Sequence, residues 1–554
     1  MWSRIKDRFI NKRMLYTVCF MLLTVIEIIR GSNFVEMEIP TGVIRLAEVT
    51  GGLKAADLWY IVANLTGIVM MVIIFSAYKI RTFVTISNAI WTVICLGAMI
   101  YLPYYHTNHG ATFHLWQVET AVLNIWWLFI IIKHMLVKVV KSRKINIKWN
   151  VPAIIWALMT LCMLISVNEN KVWPVWYFLM FGVFFLTEYT QKDREDIWNG
   201  LVDGLLASFV IMQIAAFFLR PYDYDRYLGL HYNTNMAGLY YLIIYVVCLC
   251  KLHLLQTQGA KKRTKLFYLL LAGCTLSLQF MTMCRTAWII SIIATIFYGI
   301  FVMRKIWKAT WKNLIVRGVL LVLSMAITFV PVFMAARWIP TVVPIRVWYS
   351  EEWGDEARVV MGESAHSEKY TDLDEFLESV FGRIVLTFQS AKVDNPLVLK
   401  AYAAENNMEY ERVEIIEPDW LKDPGLRARL TIYKAYLDDL TFMGNDSSKG
   451  YYKLGDVDYN SWHAQNVWLQ IAYYYGIPTG VLLIALTILL FVYNYKKMMN
   501  HKKNPYAIIP FFICLMYFGF GLMEVVWNLG QLALFLVFFV NMPLGNENLE
   551  RKEL

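Results

Sequence analysis

Runs of roughly 18 or more mostly apolar residues recur from one end of this 554-residue chain to the other, each long enough to cross about 30 Å of hydrocarbon as an α-helix. In lipid no water is at hand for backbone N–H and C=O groups, so each crossing segment must satisfy them internally, and these lengths suit helices. The sequence therefore predicts an all-α fold, a polytopic membrane helix bundle of about fourteen transmembrane helices. They are expected near 14–30, 57–78, 83–103, 115–138, 151–167, 172–189, 200–219, 236–252, 266–282, 285–303, 314–336, 466–493, 506–523 and 524–541. Three regions follow: 1–336 with the first eleven helices, a large extracytoplasmic loop at 337–464, and 465–554 with the last three helices and a cytoplasmic tail. The start, MWSRIKDRFINKR, runs straight into an apolar segment without a small-residue cleavage site, so the first helix is expected to serve as the signal anchor.

Lys and Arg in short loops give the orientation. With the N-terminus inside, the inside set includes 138–148, 191–196, 251–265 and the turns MRKIWKATWK and NYKKMMNHKKN, and nearly all are basic. The opposite set (31–56, 104–114, 168–171, 220–235 and 337–464) is poorer in positive charge, which puts both termini in the cytoplasm. Segment 337–464 holds 14 Lys and Arg against 23 Asp and Glu, a net −9, so the rest of the chain carries +19 of the total +10. The basic balance is thus a topology signal, and nucleic acid is not an expected partner. All eight cysteines lie in or beside apolar runs, without a disulfide or zinc pattern, and no P-loop, dinucleotide fingerprint or HExxH is present.

Two amphipathic helices are expected inside the large loop. In TDLDEFLESVFGRIVLTFQ the residues Leu373, Phe376, Leu377, Val380, Phe381, Ile384, Val385 and Phe388 share a face that can lie on the membrane or cap the bundle. In GLRARLTIYKAYLDDLTF the apolar face is read as Leu426, Leu430, Tyr433, Leu437 and Leu440, with Arg429 at its edge, held close to the bundle, and Arg427 on the polar side. The connection 391–424 reads as irregular.

Polar residues on the outward side are the candidates for chemistry, because a hydrogen-bonding group at that depth is costly without a partner. They comprise Arg220, His231 and Asn235 around the loop RPYDYDRYLGLHYNTN, then Arg285, Arg427 and Arg429, and His463, Gln465 and Asn466 at the mouth of the helix WHAQNVWLQIAYYYGIPTG. Arg285, between two apolar runs, is either an interfacial arginine solvated by headgroups or a fixed fork for phosphate or pyrophosphate. Asn466 or His463 is either a helix cap or a site residue, NTN reads most simply as a cap, and Asp223/Asp225 and Asp456/Asp458 read as solvated turns rather than metal ligands. Trp462, Trp468, Tyr232, Tyr240 and Tyr241 offer sugar-stacking faces or form an interfacial aromatic belt.

The order of these pieces resembles the O-antigen ligase and O-antigen polymerase superfamily, membrane glycosyltransferases of the C-type architecture. The likeness runs over roughly 200–495: Asn233, Asn235 and Ala237 at a helix start, CRTAW with Arg285, RARLTIYKAYLDDLTFMGN in a large outside loop, and HAQN before a helix with Gly476. It implies an inverting, metal-independent transfer at the outer face of the bacterial cytoplasmic membrane, with no cofactor. The donor would be a lipid-linked oligosaccharide on undecaprenyl pyrophosphate, and the acceptor a glycan, lipid or protein. Arg285 and Arg429 then become the pyrophosphate residues and His463 the acid/base; Arg427, Asn235, His231, Arg220, Gln465 and Asn466 are candidates for substrate binding. Two features depart from the family pattern. Gln465, which cannot take a proton at neutral pH, stands where a histidine is usual, and Gly476 and Gly480 are spaced differently. Either His463 substitutes from two residues away or the histidine role is not needed. A polysaccharide flippase or exporter is the second expectation, although the crowding of polar groups toward one face argues against it.

Overall fold

The structure is a computed structural model that describes residues 12–30, 34–39, 41–45, 84–108, 115–142, 151–169, 189–219, 226–231, 233–343, 346–350, 357–359, 372–388, 424–446, 450–454, 457–461, 463–500 and 504–525, with scattered positions within 65–73 and 174–178. Helix α1 (Lys12–Arg30) precedes a hairpin of β1 (Phe34–Ile39) and β2 (Gly42–Arg45). Then come α2 (Ile86–Asn108), α3 (Leu115–Ser142), α4 (Val151–Ile165), α5 (Gln191–Leu219), α6 (Thr234–Thr257), α7 (Lys262–Met281), α8 (Arg285–Phe297) with a π-helical extension Tyr298–Ile306, and α9 (Trp311–Val342). Beyond them lie β3 (Arg346–Ser350), β4 (Ala357–Val359), α10 (Leu373–Phe388), α11 (Pro424–Asp438), β5 (Gly450–Leu454) and β6 (Val457–Ser461). Helices α12 (Val467–Tyr475), α13 (Ile477–Met499) and α14 (Ile508–Gly521) close the described chain.

Six of these helices are long and apolar enough to cross a membrane: α5, α6, α7, α8 with its extension, α9 as far as Ile339, and α13. Shorter apolar helices cover Ile86–Leu102, Ala121–His134, Val151–Ile165 and Pro505–Gly521. By length and composition this is a multi-pass helical membrane protein. The helices expected near 57–78, 172–189 and 524–541 fall wholly or mostly outside the described residues, as does the connection 391–424.

Three expectations need correcting. The loops are not free of strands: a four-stranded antiparallel sheet in the order β2-β1-β3-β4 joins the segment after α1 to the segment after α9, and β5 pairs with β6. Pairings such as Glu38 with Arg346 connect stretches some three hundred residues apart, which no local pattern announces. The single helix expected at 466–493 is two, α12 and α13, meeting at Gly476. On α11 the buried face carries Ile432 and Tyr436 with Arg429 beside them, whereas Leu430 and Leu437 are exposed, so the helix is turned by about a quarter turn from the leucine face.

Helix α6 is apolar all round and almost completely buried, as the central helix of a bundle must be. Helices α1 and α5 run parallel in close contact: a Cβ at Gly200 would strike Tyr16, and one at Gly204 would strike the backbone of Thr17. Ser277 of α7 reaches the Met325 carbonyl at 3.1 Å and Thr328 at 3.0 Å on α9. Small residues let helices approach where lipid supplies no hydrophobic drive between them. Helix α10 caps this assembly by burying Phe376 among Phe280, Phe329 and Phe333, although Phe381, expected on the same face, is exposed.

Following the connections, the starts of α6, α8 and α12 and the ends of α5, α7, α9 and α14 share one end of the bundle. The turns α6–α7, α8–α9 and α13–α14, each flanked by several Lys and Arg, share the other. At that basic end Lys12 meets Asp193 at 2.8 Å, and Arg13 and Lys251 both bind Asp203.

The α12–α13 break is fixed by a loop of main chain. Ile477 N–H donates to the Thr441 carbonyl at 3.0 Å, Asn445 N–H donates to the Tyr473 carbonyl at 3.0 Å, and Val167 N–H donates to the Met443 carbonyl at 3.0 Å. Gly444 at φ +83° and Gly476 at φ +96° face one another across this contact, and a Cβ on Gly476 would sit 2.2 Å from the Phe442 carbonyl oxygen. Gly476→Ala is expected to lower the thermal unfolding midpoint of the detergent-solubilised protein by the equivalent of about 2 kcal/mol or more, from positive φ and overlap together. Gly318→Ala, on α9 with nothing within 4 Å of the added Cβ, is expected to leave the midpoint unchanged or slightly raised.

Candidate functional site

At the end of the bundle opposite the basic turns, α14 stops at Gly521 and the chain turns through Leu522 and Met523 to Glu524, a buried carboxylate. Its Oε1 accepts from Asn235 Nδ2 at 2.9 Å and lies 3.7 Å from Arg429 Nη2. Asn235 is available because its neighbour Asn233 caps α6, accepting the Asn235 N–H at 2.7 Å. The cap and the site reading of the NTN stretch thus fall to different asparagines. Arg429 reaches Glu524 from the inward side of α11 and is tied to it by charge. Its Nε is buried without a hydrogen-bond partner among the described residues.

The segment before α12 is bound to the same turn. Asn466 caps α12 through its side-chain oxygen, accepting Leu469 N–H at 3.0 Å, and its Nδ2 donates to the Leu522 carbonyl at 3.3 Å. One amide therefore serves as both cap and tether. The Tyr433 hydroxyl, one helical turn after Arg429, lies within reach of the carbonyls of Gln465 and Leu522 and donates to one of them at a time. Gln465 holds a left-handed backbone at φ 48°, and its N–H donates to His463 Nδ1 at 3.3 Å. His463 keeps an exposed face, while the protein massed behind it lowers its pKa from the ordinary value by desolvation. At neutral pH it is an uncharged imidazole.

A second turn enters from α7–α8. Met283 is left-handed at φ 51°, Cys284 precedes α8, and Arg285 opens it, half-buried. Of the three described non-glycine residues at positive φ, two, Met283 and Gln465, stand in the turns that border this site. Such strain costs about 1–3 kcal/mol each and persists where the surroundings fix it. Burial raises the Cys284 thiol pKa, and the charges of Arg226, Glu524 and Arg429 all bear on that thiol, which places Arg226 in the group. Arg226 is held there by Nε donating to the Thr282 carbonyl at 3.1 Å.

Glu524 is pushed up to about 7 because burial outweighs the help of Arg429 at 3.7 Å and the Asn235 amide. A carboxyl group is thereby poised to exchange a proton near neutrality, under a guanidinium with donors to spare. Such a guanidinium can hold an anionic oxygen, and the carboxylate can hold the guanidinium in readiness or move a proton.

Among the residues singled out in the sequence, Asn235, Arg429, Gln465 and Asn466 converge on the Leu522–Glu524 turn, with His463 hydrogen-bonded to Gln465 and Arg285 next in the chain to Cys284. His231 is buried against the Tyr240 ring at 5.3 Å. Arg220 and the side chain of Arg427 lie outside the described residues, as do Asp223, Asp225, Asp456, Trp462 and Tyr232. Tyr240 and Tyr241 are buried in the bundle, and Trp468 is buried with its indole N–H 3.2 Å from Thr487, so these three are packing residues and not sugar platforms. Glu524 is the residue that the sequence reading passed over. Its signal was a lone acid in the apolar run FGFGLMEVVW, which is a candidate site wherever it occurs in a membrane protein. Among the described residues no group of three or more His, Cys, Asp or Glu is placed to hold a metal ion.

The fold and this site define a multi-pass helical membrane protein with a buried, charge-compensated cluster at one end of its bundle. No known protein family, curated protein or solved structure matches the chain.

The raised carboxyl has a measurable consequence for stability. Above about pH 4.5 the unfolded chain releases the proton that the folded protein holds to about pH 7, so Glu524 lowers stability as pH rises between those values and adds no further change beyond. Wild-type unfolding midpoints are expected to fall relative to those of Glu524→Gln across this window. Parallel curves would mean that the carboxyl has its ordinary affinity.

Proposed function

We propose that this protein is a membrane glycosyltransferase of the O-antigen ligase/polymerase kind, moving a glycan from an undecaprenyl-pyrophosphate carrier to a hydroxyl acceptor at the outer face of the cytoplasmic membrane. The observation that carries the reading is the meeting of Asn235, Arg429 and the 463–466 segment at one turn, that of Glu524, from places up to 289 residues apart. These are the stretches whose order suggested the family, and they share the end of the bundle away from the basic turns.

The chemistry follows from the charges. Departure of a pyrophosphate develops negative charge on its oxygens, and fixed guanidinium groups in a site of low dielectric stabilise that charge most strongly. Arg429 has a donor without a partner among the described residues, and Arg285 stands at the start of α8, where helix N–H groups add partial positive charge. Before a donor arrives, Glu524 compensates the charge of Arg429 at 3.7 Å. Left-handed turns at Met283 and Gln465 fix the backbones that present Arg285 and His463. The acceptor is a glycan, lipid or protein hydroxyl; its attack needs a proton acceptor only as the new bond forms.

Arg285→Ala is expected to reduce product by about 100-fold or more while leaving the amount of inserted protein unchanged, the loss typical of removing one group that stabilises developing charge. Gel analysis of surface polysaccharide from cells carrying the variant measures this, and normal product would remove the assignment. In cells lacking the gene, single repeats on the final acceptor indicate a lost polymerase, and long chains retained on the lipid carrier indicate a lost ligase.

A further inference from the structure

The proton acceptor is open on the transferase reading, because Gln465 cannot serve and both Glu524 and His463 stand in the site. Both described contacts of Glu524, from Asn235 Nδ2 and from Arg429, go to Oε1, which leaves Oε2 without a described contact. The carboxyl is fixed along its backbone as well, since the Leu522 carbonyl two residues earlier receives Asn466 Nδ2 and lies within reach of the Tyr433 hydroxyl. The charged and titratable groups around it are Arg429 and Tyr433 from α11 and Cys284 before α8, whose thiol also feels the charge of Arg226 from the strap ahead of α6. His463, by contrast, uses Nδ1 to accept from Gln465 and keeps an exposed face.

Resting on the transferase reading, we propose that Glu524 is the catalytic base: Oε2 takes the proton of the acceptor hydroxyl while that oxygen bonds to the anomeric carbon. The carbon–oxygen bond to the pyrophosphate breaks in the same step. Its electron pair leaves on the pyrophosphate oxygen beside Arg429, and the proton on Glu524 passes afterwards to water or to the departing pyrophosphate. No oxidant, metal or nucleotide enters this balance. The proton affinities agree with the assignment, since burial strengthens Glu524 as a base, up to about 7, and weakens His463. Asn235 and Arg429 act on Glu524 by orienting it, and Arg429 also keeps a share of the carboxyls ionised at neutral pH.

The experiment uses the purified full-length protein in liposomes, a synthetic undecaprenyl-pyrophosphate-linked oligosaccharide as donor, and a sugar hydroxyl as acceptor. In the wild type kcat is expected to rise with pH and level off above about 7, the value for Glu524. Glu524→Gln is expected to lose about 100-fold or more in kcat and the acidic limb with it, at little change in KM for the donor. Wild-type turnover with an unchanged rate in Glu524→Gln, or a reduced rate that keeps its acidic limb, overturns the base assignment and leaves the transferase reading standing. A wild-type protein that forms no product from this donor overturns both. Should Glu524→Gln prove too unstable to purify, His463→Gln decides: an acidic limb retained supports Glu524, and a limb abolished overturns it.

Discussion

A carboxylate withdrawn from water must be met by counter-charge and by hydrogen-bond donors, or its ionisation becomes too costly to keep. Glu524 imposes that demand at one end of this bundle, and elements from across the chain answer it. Arg429 comes from the large loop, Asn235 from the start of α6, and Tyr433 and Asn466 hold the turn that carries the acid. The compensation is incomplete, because Arg429 stands 3.7 Å away, and the carboxyl keeps its proton to about 7. Incomplete compensation suits a site better than a structural ion pair, since it leaves both groups able to respond to an arriving anion or proton.

The opposite end of the bundle uses the same groups differently. There Asp203 is shared by Arg13 and Lys251, and Asp193 is met by Lys12 and by the Thr190 hydroxyl. These acids have close partners and fasten α1, α5 and α6 to one another. Pairing distance thus separates a fastening from a candidate site: 2.8 Å at Asp193 and 3.7 Å at Glu524.

Between the two ends the positions of the helices depend on close backbone contact, most of all where the loop 441–445 meets the α12–α13 break. Gly444 and Gly476 occupy conformations that other residues adopt at a cost, and each leaves room for the other's main chain. Because Asn466 caps α12, the placement of that helix transmits directly to the tether on Leu522. The clamp therefore stands one short helix away from the carboxylate and helps set its position.

Lengths and compositions of the apolar runs determined, by themselves, that this chain makes membrane-length helices, which ends of those helices carry basic turns, and where polar residues break the apolar pattern. They could do so because hydrocarbon thickness and backbone self-satisfaction act on each segment alone. Local spacing also placed Asn233, Asn235 and Asn466 at helix starts, where capping is decided within a few residues. Tertiary structure decided the rest. The buried face of α11 is that of Ile432 and Tyr436 and not that of its leucines, because Tyr473 and Ala464 arrive from another element to cover it. Sheet pairing between 34–39 and 346–350 and the approach of Arg429 to Glu524 likewise depend on partners remote in the chain. A lone acid in an apolar run signals a cost, but only the folded bundle determines which distant cation and amide are brought to meet it.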